Sequence, residues 1–260
     1  MIGKESLKIS APRAADFSGR QEEPCLKYDY LVLRPLKTML KDLIEFEAED
    51  WFRYAFSREL LNRRFDDNQR RDWTLKALNC GRVFARRIIQ KYGCSNPEEL
   101  AELMGLNIFY FSYPKETDRI LFAEYKAPDT ICIYLNVVNK AERLLKYDEI
   151  REILTDRLNI RKLLLAHEIF HHIEKMYKNE IYTLKEKIRL WSVGPIHNDS
   201  TITAISEIAA MAFAQEMTQI PYFPYVLDIF LMYSILPEKA SELYKEVAGD
   251  VGIKFCDPEQ

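Results

Sequence analysis

The sequence predicts an α+β protein, mostly helical, with a small three-stranded antiparallel sheet set between blocks of helix. Three observations carry this. Apolar residues recur at helical spacing on both sides of the middle of the chain, the middle holds short aromatic and β-branched runs, and a proline-containing turn separates two of those runs. The chain of 260 residues is 48% hydrophobic and 30% charged, long enough to bury a core without staples.

Residues 1–26 are polar, carry Gly, Pro and Ser and show no periodicity, so they read as a flexible tail. Residues 27–79 form a helical extension, with Leu36, Met39, Leu40, Leu43 and Ile44 on one face. The helical pattern continues to about Tyr92. Asn96 or Ser95 then caps a short helix that has Pro97 at its first position and Gly105 at its end. Asn107–Tyr113, Ile120–Tyr125 and Thr130–Asn136 are the strand candidates, the last two joined by a turn over residues 126–129. A long helical stretch ends in Ile160 to about Lys178. A polar loop, Trp191–Ser200, leads to a helix from Thr201 to about Met217, which Asp199 or Ser200 can cap. Residues 222–260 supply two further helices, around Leu227–Leu236 and Glu238–Val247.

A formal net charge of -3 argues against a nucleic-acid surface spread over the whole molecule. Arg82, Arg86, Arg87 and Lys91 cluster on one stretch, which reads as a solvated helix face. The five cysteines (Cys25, Cys80, Cys94, Cys132 and Cys256) are far apart and form no CxxC pair, as expected of reduced thiols. The first residues show no apolar h-region, so no secretion signal is expected. The longest apolar run, Tyr222–Leu236, contains Pro224 and Asp228 and is too short to cross a bilayer. A soluble, cytoplasmic protein without a membrane partner is the expectation.

The informative segment is Leu163–Lys175, which holds His167-Glu168-Ile169-Phe170-His171, an HExxH motif. Residues four apart share a helix face, so both imidazoles can reach one metal ion. Glu168 lies at the edge of that face, where it can serve as general base toward a metal-activated water. The surrounding helix is nearly all apolar, and a buried helix bearing two histidines and a glutamate needs those groups paired or coordinated. His172 lies off the face and reads as a supporting or exposed residue.

A catalytic zinc generally takes three protein ligands and a water. Glu207 is the favoured third ligand, because it sits in an apolar helix with the small residues Thr203, Ala210 and Ala214 on its face. Glu216, nearer the helix end, and His197 are the competitors. Asn96–Leu106 resembles the first helix of a DNA-binding helix-turn-helix, but a strand-like segment follows it where a basic recognition helix would be needed. A zinc-stabilised binding module without activity is a further alternative, although Glu168 would have no task in it.

These residues resemble the ImmA/IrrE family of bacterial and phage metallopeptidases. Ala166–Glu174 is similar to the family's AHELGHH segment, and Glu207–Met217 to its ExxANxFAxxLLMP segment. Asn96–Phe111 and Thr130–Asn136 are similar to the elements that precede the catalytic helix. The likeness spans residues 80–221. It implies a zincin-like peptidase core there, one Zn2+ per chain on His167, His171 and Glu207, and Glu168 as base. It also implies cleavage of a protein partner, commonly a helix-turn-helix repressor of a mobile element or stress regulon. On the charge balance no direct nucleic-acid partner is expected. The chain departs from the pattern at Phe170 (usually Gly), at Met211 (usually Asn) and in a longer, charged Val137–Asn159 segment.

Overall fold

The computed structural model describes residues 35–112, 120–194 and 196–253. The expected tail over 1–26, the start of the helical extension, Tyr113, Cys25 and Cys256 lie outside these residues. The described chain is α+β and mostly helical, as its periodicity predicts.

The first block contains α1 (Leu36–Leu43), α2 (Phe52–Ser57) and the long α3 (Asp67–Tyr92), linked by short 3-10 turns. α3 begins at an Asp66/Gln69 capping box, ends at Gly93 in the left-handed region, and runs unbroken through residue 80. α4 (Pro97–Leu103) is capped by the Asn96 side chain, which accepts from the Glu98 amide at 3.2 Å.

β1 (Asn107–Phe111), β2 (Ala123–Lys126) and β3 (Thr130–Tyr134) form the sheet. It is mixed, correcting the antiparallel expectation: the order is β1-β3-β2, with β1 parallel and β2 antiparallel to β3. The cause is burial. Ile131, Cys132 and Ile133 are sealed in the core, so β3 takes the centre, whereas β1 and β2 are half-exposed edges. The 112–122 connection is too long for a two-residue hairpin that would have forced β1 beside β2. β2 starts at Ala123, and β3 stops at Tyr134 because Leu135 and Asn136 already open the next helix.

α5 (Leu135–Leu144), α6 (Asp148–Leu154) and α7 (Ile160–Met176) follow, then the short α8 (Tyr182–Lys185). The expected polar loop is instead a hairpin of β4 (Lys187–Val193) and β5 (Ile196–Thr201). Alternation of Ile188 and Leu190 with exposed neighbours sets it up, and Gly194, at φ 58°, occupies the turn. α9 (Thr203–Thr218), α10 (Val226–Tyr233) and α11 (Pro237–Val251) close the described chain.

α9 is the axis of the core, packed between α3 and α7. Ala204, Ala209, Ala210, Ala212 and Ala214 are buried and let both neighbours approach. Phe170, which replaces a glycine of the resembled pattern, meets Phe213 with ring centroids 5.6 Å apart. Asp199 and Ser200 belong to β5 and do not cap α9. That task falls to Glu59, just after α2, whose carboxylate accepts from the Ala204 amide at 3.2 Å and the Leu61 amide at 3.2 Å.

Candidate metal centre

α7 begins where the Asn159 side chain accepts from the Lys162 amide at 3.0 Å. One full turn of this helix places His167 above His171, their Nε2 atoms 3.3 Å apart. From the facing helix α9, Glu207 brings Oε2 to 3.2 Å from His167 Nε2 and Oε1 to 3.6 Å from His171 Nε2. All three donor atoms lie within 4.8 Å of one another, a group that could hold a metal ion. His167 is buried, and His171 and Glu207 are partly buried.

The competing third ligands are elsewhere. Glu216 accepts from Arg86 Nε of α3 at 2.9 Å, and His197 is exposed on β5 beside Asp199. His172 leaves the cluster and meets the Pro128 carbonyl at 3.2 Å and the Tyr125 hydroxyl at 3.1 Å, tying α7 to the β2–β3 turn. The basic stretch of α3 is a largely exposed helix face, as expected, on which Arg86 pairs with Glu216 and Arg87 with Glu180 and Tyr177.

Two carboxylates that were not among the expected site residues support the site. Glu174, 4% exposed, accepts from His171 Nδ1 at 3.0 Å. Ser206 of α9 donates to Glu174 at 2.8 Å, and Thr183 of α8 makes a shorter bond to it. A carboxylate on Nδ1 fixes the tautomer so that the Nε2 lone pair faces the ligand group. Its signal was present, since Glu174 lies three residues after His171 on a mostly buried helix. The second is Asp228 in the apolar α10, where it accepts from the Tyr54 hydroxyl at 2.6 Å and pairs with Arg58 at 3.4 Å. The reasoning that singled out Glu207, a carboxylate among apolar residues, applies equally to it.

Charge in this cluster is set by burial acting against close opposite charges. Burial pushes the His171 pKa down, but its bond to Glu174 and the charges of Glu207, Glu174 and Glu168 override this and raise it to about 10. Burial pushes Glu207 up, yet the bond to His167 and the charges of His171, His167 and Arg58 bring it down to about 2. Glu168 is raised, mainly by burial. A divalent ion on three ligands would replace the His171 proton as the balancing charge, and His167 Nδ1 remains buried and unpaired.

An open cleft with about 470 Å3 of empty space begins at His167 and Glu168. Phe122, Leu163, Leu164, Met211, Leu227 and Leu231 form its apolar walls, and Asp228 adds a polar point. Met211 therefore puts a thioether where the resembled pattern has an amide. Among the described residues no helix is long and apolar enough to cross a membrane, and Cys80, Cys94 and Cys132 are free thiols. Comparison with family models, curated proteins and solved structures returned no match to this chain.

Proposed function

We propose that the protein is a zinc-dependent endopeptidase that cuts a specific protein partner in the cytoplasm. One observation carries the reading: Glu168 opens onto an apolar cleft while its helix neighbours His167 and His171 converge with Glu207. Two imidazoles and one carboxylate suit zinc and leave a coordination position open, unlike the four closed ligands of a structural site. Zinc held there supplies a Lewis acid that acidifies water and polarises a carbonyl.

The remaining chemistry belongs to the chain. Glu168 accepts a proton from the attacking water and passes it to the departing amine. Its pKa, raised by burial, brings it closer to the range a base needs at neutral pH. Glu174 orients His171, and the cleft walls receive apolar side chains flanking the scissile bond. The partner class, a helix-turn-helix repressor, rests on the resemblance of Ala166–Glu174 and Glu207–Met217 to the ImmA/IrrE segments.

The test is elemental analysis of the purified wild type together with a pull-down on Glu168→Gln as a substrate trap. Stoichiometric zinc and a captured partner that the wild type cleaves are expected, and metal-free wild type would reject the reading. Glu207→Ala should weaken zinc binding by at least about tenfold, since one of three ligands is lost. Glu216→Ala, which removes only the Arg86 pair, should leave affinity unchanged. The reverse ranking, read by competition with a chromogenic chelator, would assign the third ligand wrongly.

Zinc binding should also depend steeply on pH. Ligation needs neutral imidazole, whereas His171 in the metal-free protein keeps its proton up to about 10. Each zinc thus displaces about one proton, and affinity should rise about tenfold per pH unit between pH 6 and 8. In the metal-free protein the raised His171 stabilises fully below its ordinary value of 6.5, and this contribution fades as pH climbs toward 10. The lowered Glu207 stabilises above its ordinary 4.5 and loses that as pH falls toward 2. Calorimetry in buffers of different ionisation enthalpy counts the released protons, and a pH-independent affinity would contradict the assignment.

A further inference from the structure

The wall that α10 gives to the cleft is apolar except at one point. Leu227, Asp228 and Leu231 line it, and residues three and four apart share a helix face, so Asp228 stands on the side of the leucines. The same cleft is lined by His167 and Glu168, which puts this carboxylate and the candidate base on one cavity. Among the described residues no lysine or arginine lines it.

Only 8% of the Asp228 side chain is exposed, and its partners crowd onto one oxygen. Tyr54 donates to Oδ2 at 2.6 Å, and Arg58 Nη1 reaches the same atom at 3.4 Å, while Arg58 Nη2 donates to the Tyr54 hydroxyl. Among the described residues Oδ1 receives no hydrogen bond, yet it is not sealed from solvent. A carboxylate buried to this degree is costly while part of its accepting capacity stays unused. Its acidity agrees. Burial foremost raises the Asp228 pKa, against the pull of Arg58 and of the Tyr54 bond. The ionised form is short of one donor, and the cleft is the space from which a donor can come.

We propose that Asp228 is a specificity-determining residue that selects a substrate with lysine or arginine beside the scissile bond. The inference rests on the peptidase reading. The methylenes of such a side chain pack on Phe122, Leu227 and Leu231, and its cationic head donates to Oδ1. Long basic side chains divide their surface in this way wherever an apolar wall ends in an acceptor. A wholly apolar side chain fills the walls but leaves Oδ1 dehydrated and unpaired. An acidic one brings a like charge to a buried carboxylate.

The test uses zinc-loaded full-length protein and phosphinic pseudodipeptides that differ in one side chain: lysine, norleucine, which is lysine without its ammonium, and 2-aminoadipate, of similar length but acidic. That side chain is placed in turn on either side of the phosphinate, and affinities are measured by calorimetry. Wild type should bind the lysine compound about 10- to 100-fold more tightly than the norleucine one in one of the two placements, and the aminoadipate one weakest. In Asp228→Asn, checked for zinc content and thermal transition, the lysine-to-norleucine ratio should fall to about one. Tyr54→Phe keeps the ring but removes a donor to Oδ2, so the ratio should rise about two- to fivefold, which tests Asp228 even if Asp228→Asn does not fold. Norleucine bound as tightly as lysine in both placements overturns the inference and leaves the peptidase reading standing, as does a ratio that neither variant moves. Zinc-loaded wild type that binds none of the phosphinates overturns both.

Discussion

Glu168→Gln should fold, keep its zinc and lose hydrolysis by about 100- to 10,000-fold, the range a positioned general base contributes. The side chain is 8% exposed, and glutamine matches its shape, so packing around α7 is preserved. What changes is the capacity to take a proton from water, since a neutral amide oxygen is far too weak a base at neutral pH. Glu168 is raised chiefly by burial, which outweighs the attraction of His167 and His171. A neutral glutamine escapes the cost of burying that charge, and the metal-free variant should unfold at a temperature equal to or slightly above that of wild type. Cleavage followed on gels, with zinc measured on the same samples, separates a base from a structural residue. Near-normal cleavage by the variant would reject the role.

The parts legible in the sequence were those encoded by short-range spacing. His167 and His171 four apart, Asn96 before Pro97, and the apolar rows of α1 and α7 each carry their structural meaning within one or two helical turns. The parts that escaped depend on contacts between distant segments. Nothing near α9 indicates that Glu59, some 145 positions earlier, caps it in place of Asp199 or Ser200. β1 pairs in parallel with β3 because burial of Ile131–Ile133 decides which strand is central, and that is settled by helices packed on the sheet. The β4–β5 hairpin was obscured by its composition, since Arg189, Trp191, His197 and Asp199 read as loop although every second residue of Lys187–Trp191 is partly buried. Asp228 and Glu174 were visible as polar residues in apolar helices, but their partners, Tyr54 and Thr183, lie in other elements.

Gly81→Ala should be severely destabilising, although the residue touches no ligand. A Cβ at position 81 would stand 2.1 Å from the Ala209 carbonyl oxygen and 2.9 Å from both Ala212 Cβ and the Phe213 amide nitrogen. Two of those three atoms are backbone of α9, so no side-chain rotation can make room and the helices α3 and α9 must separate. Forced overpacking of this kind costs about 3 kcal/mol or more, and for a chain of this length should lower the melting temperature by about 6–12 °C. The displacement also carries function, because Ala209 lies two residues from Glu207 on the same helix. Moving α9 away from α3 presses it against α7 or slides it along, and either shift disturbs a carboxylate held 3.2 Å from His167. Zinc affinity should therefore fall by at least about tenfold in whatever fraction still folds. Gly249→Ala is the control that isolates the cause. That glycine lies in α11 with nothing within 4 Å of its would-be Cβ, so alanine there should add a few tenths to about 1 kcal/mol of stability through helix propensity. Opposite signs for the same chemical change, read in parallel thermal melts with zinc titrations, would locate the effect at the α3–α9 contact. A Gly81→Ala protein that melts with wild type and binds zinc normally would show that α9 is not held where its contact with Gly81 places it.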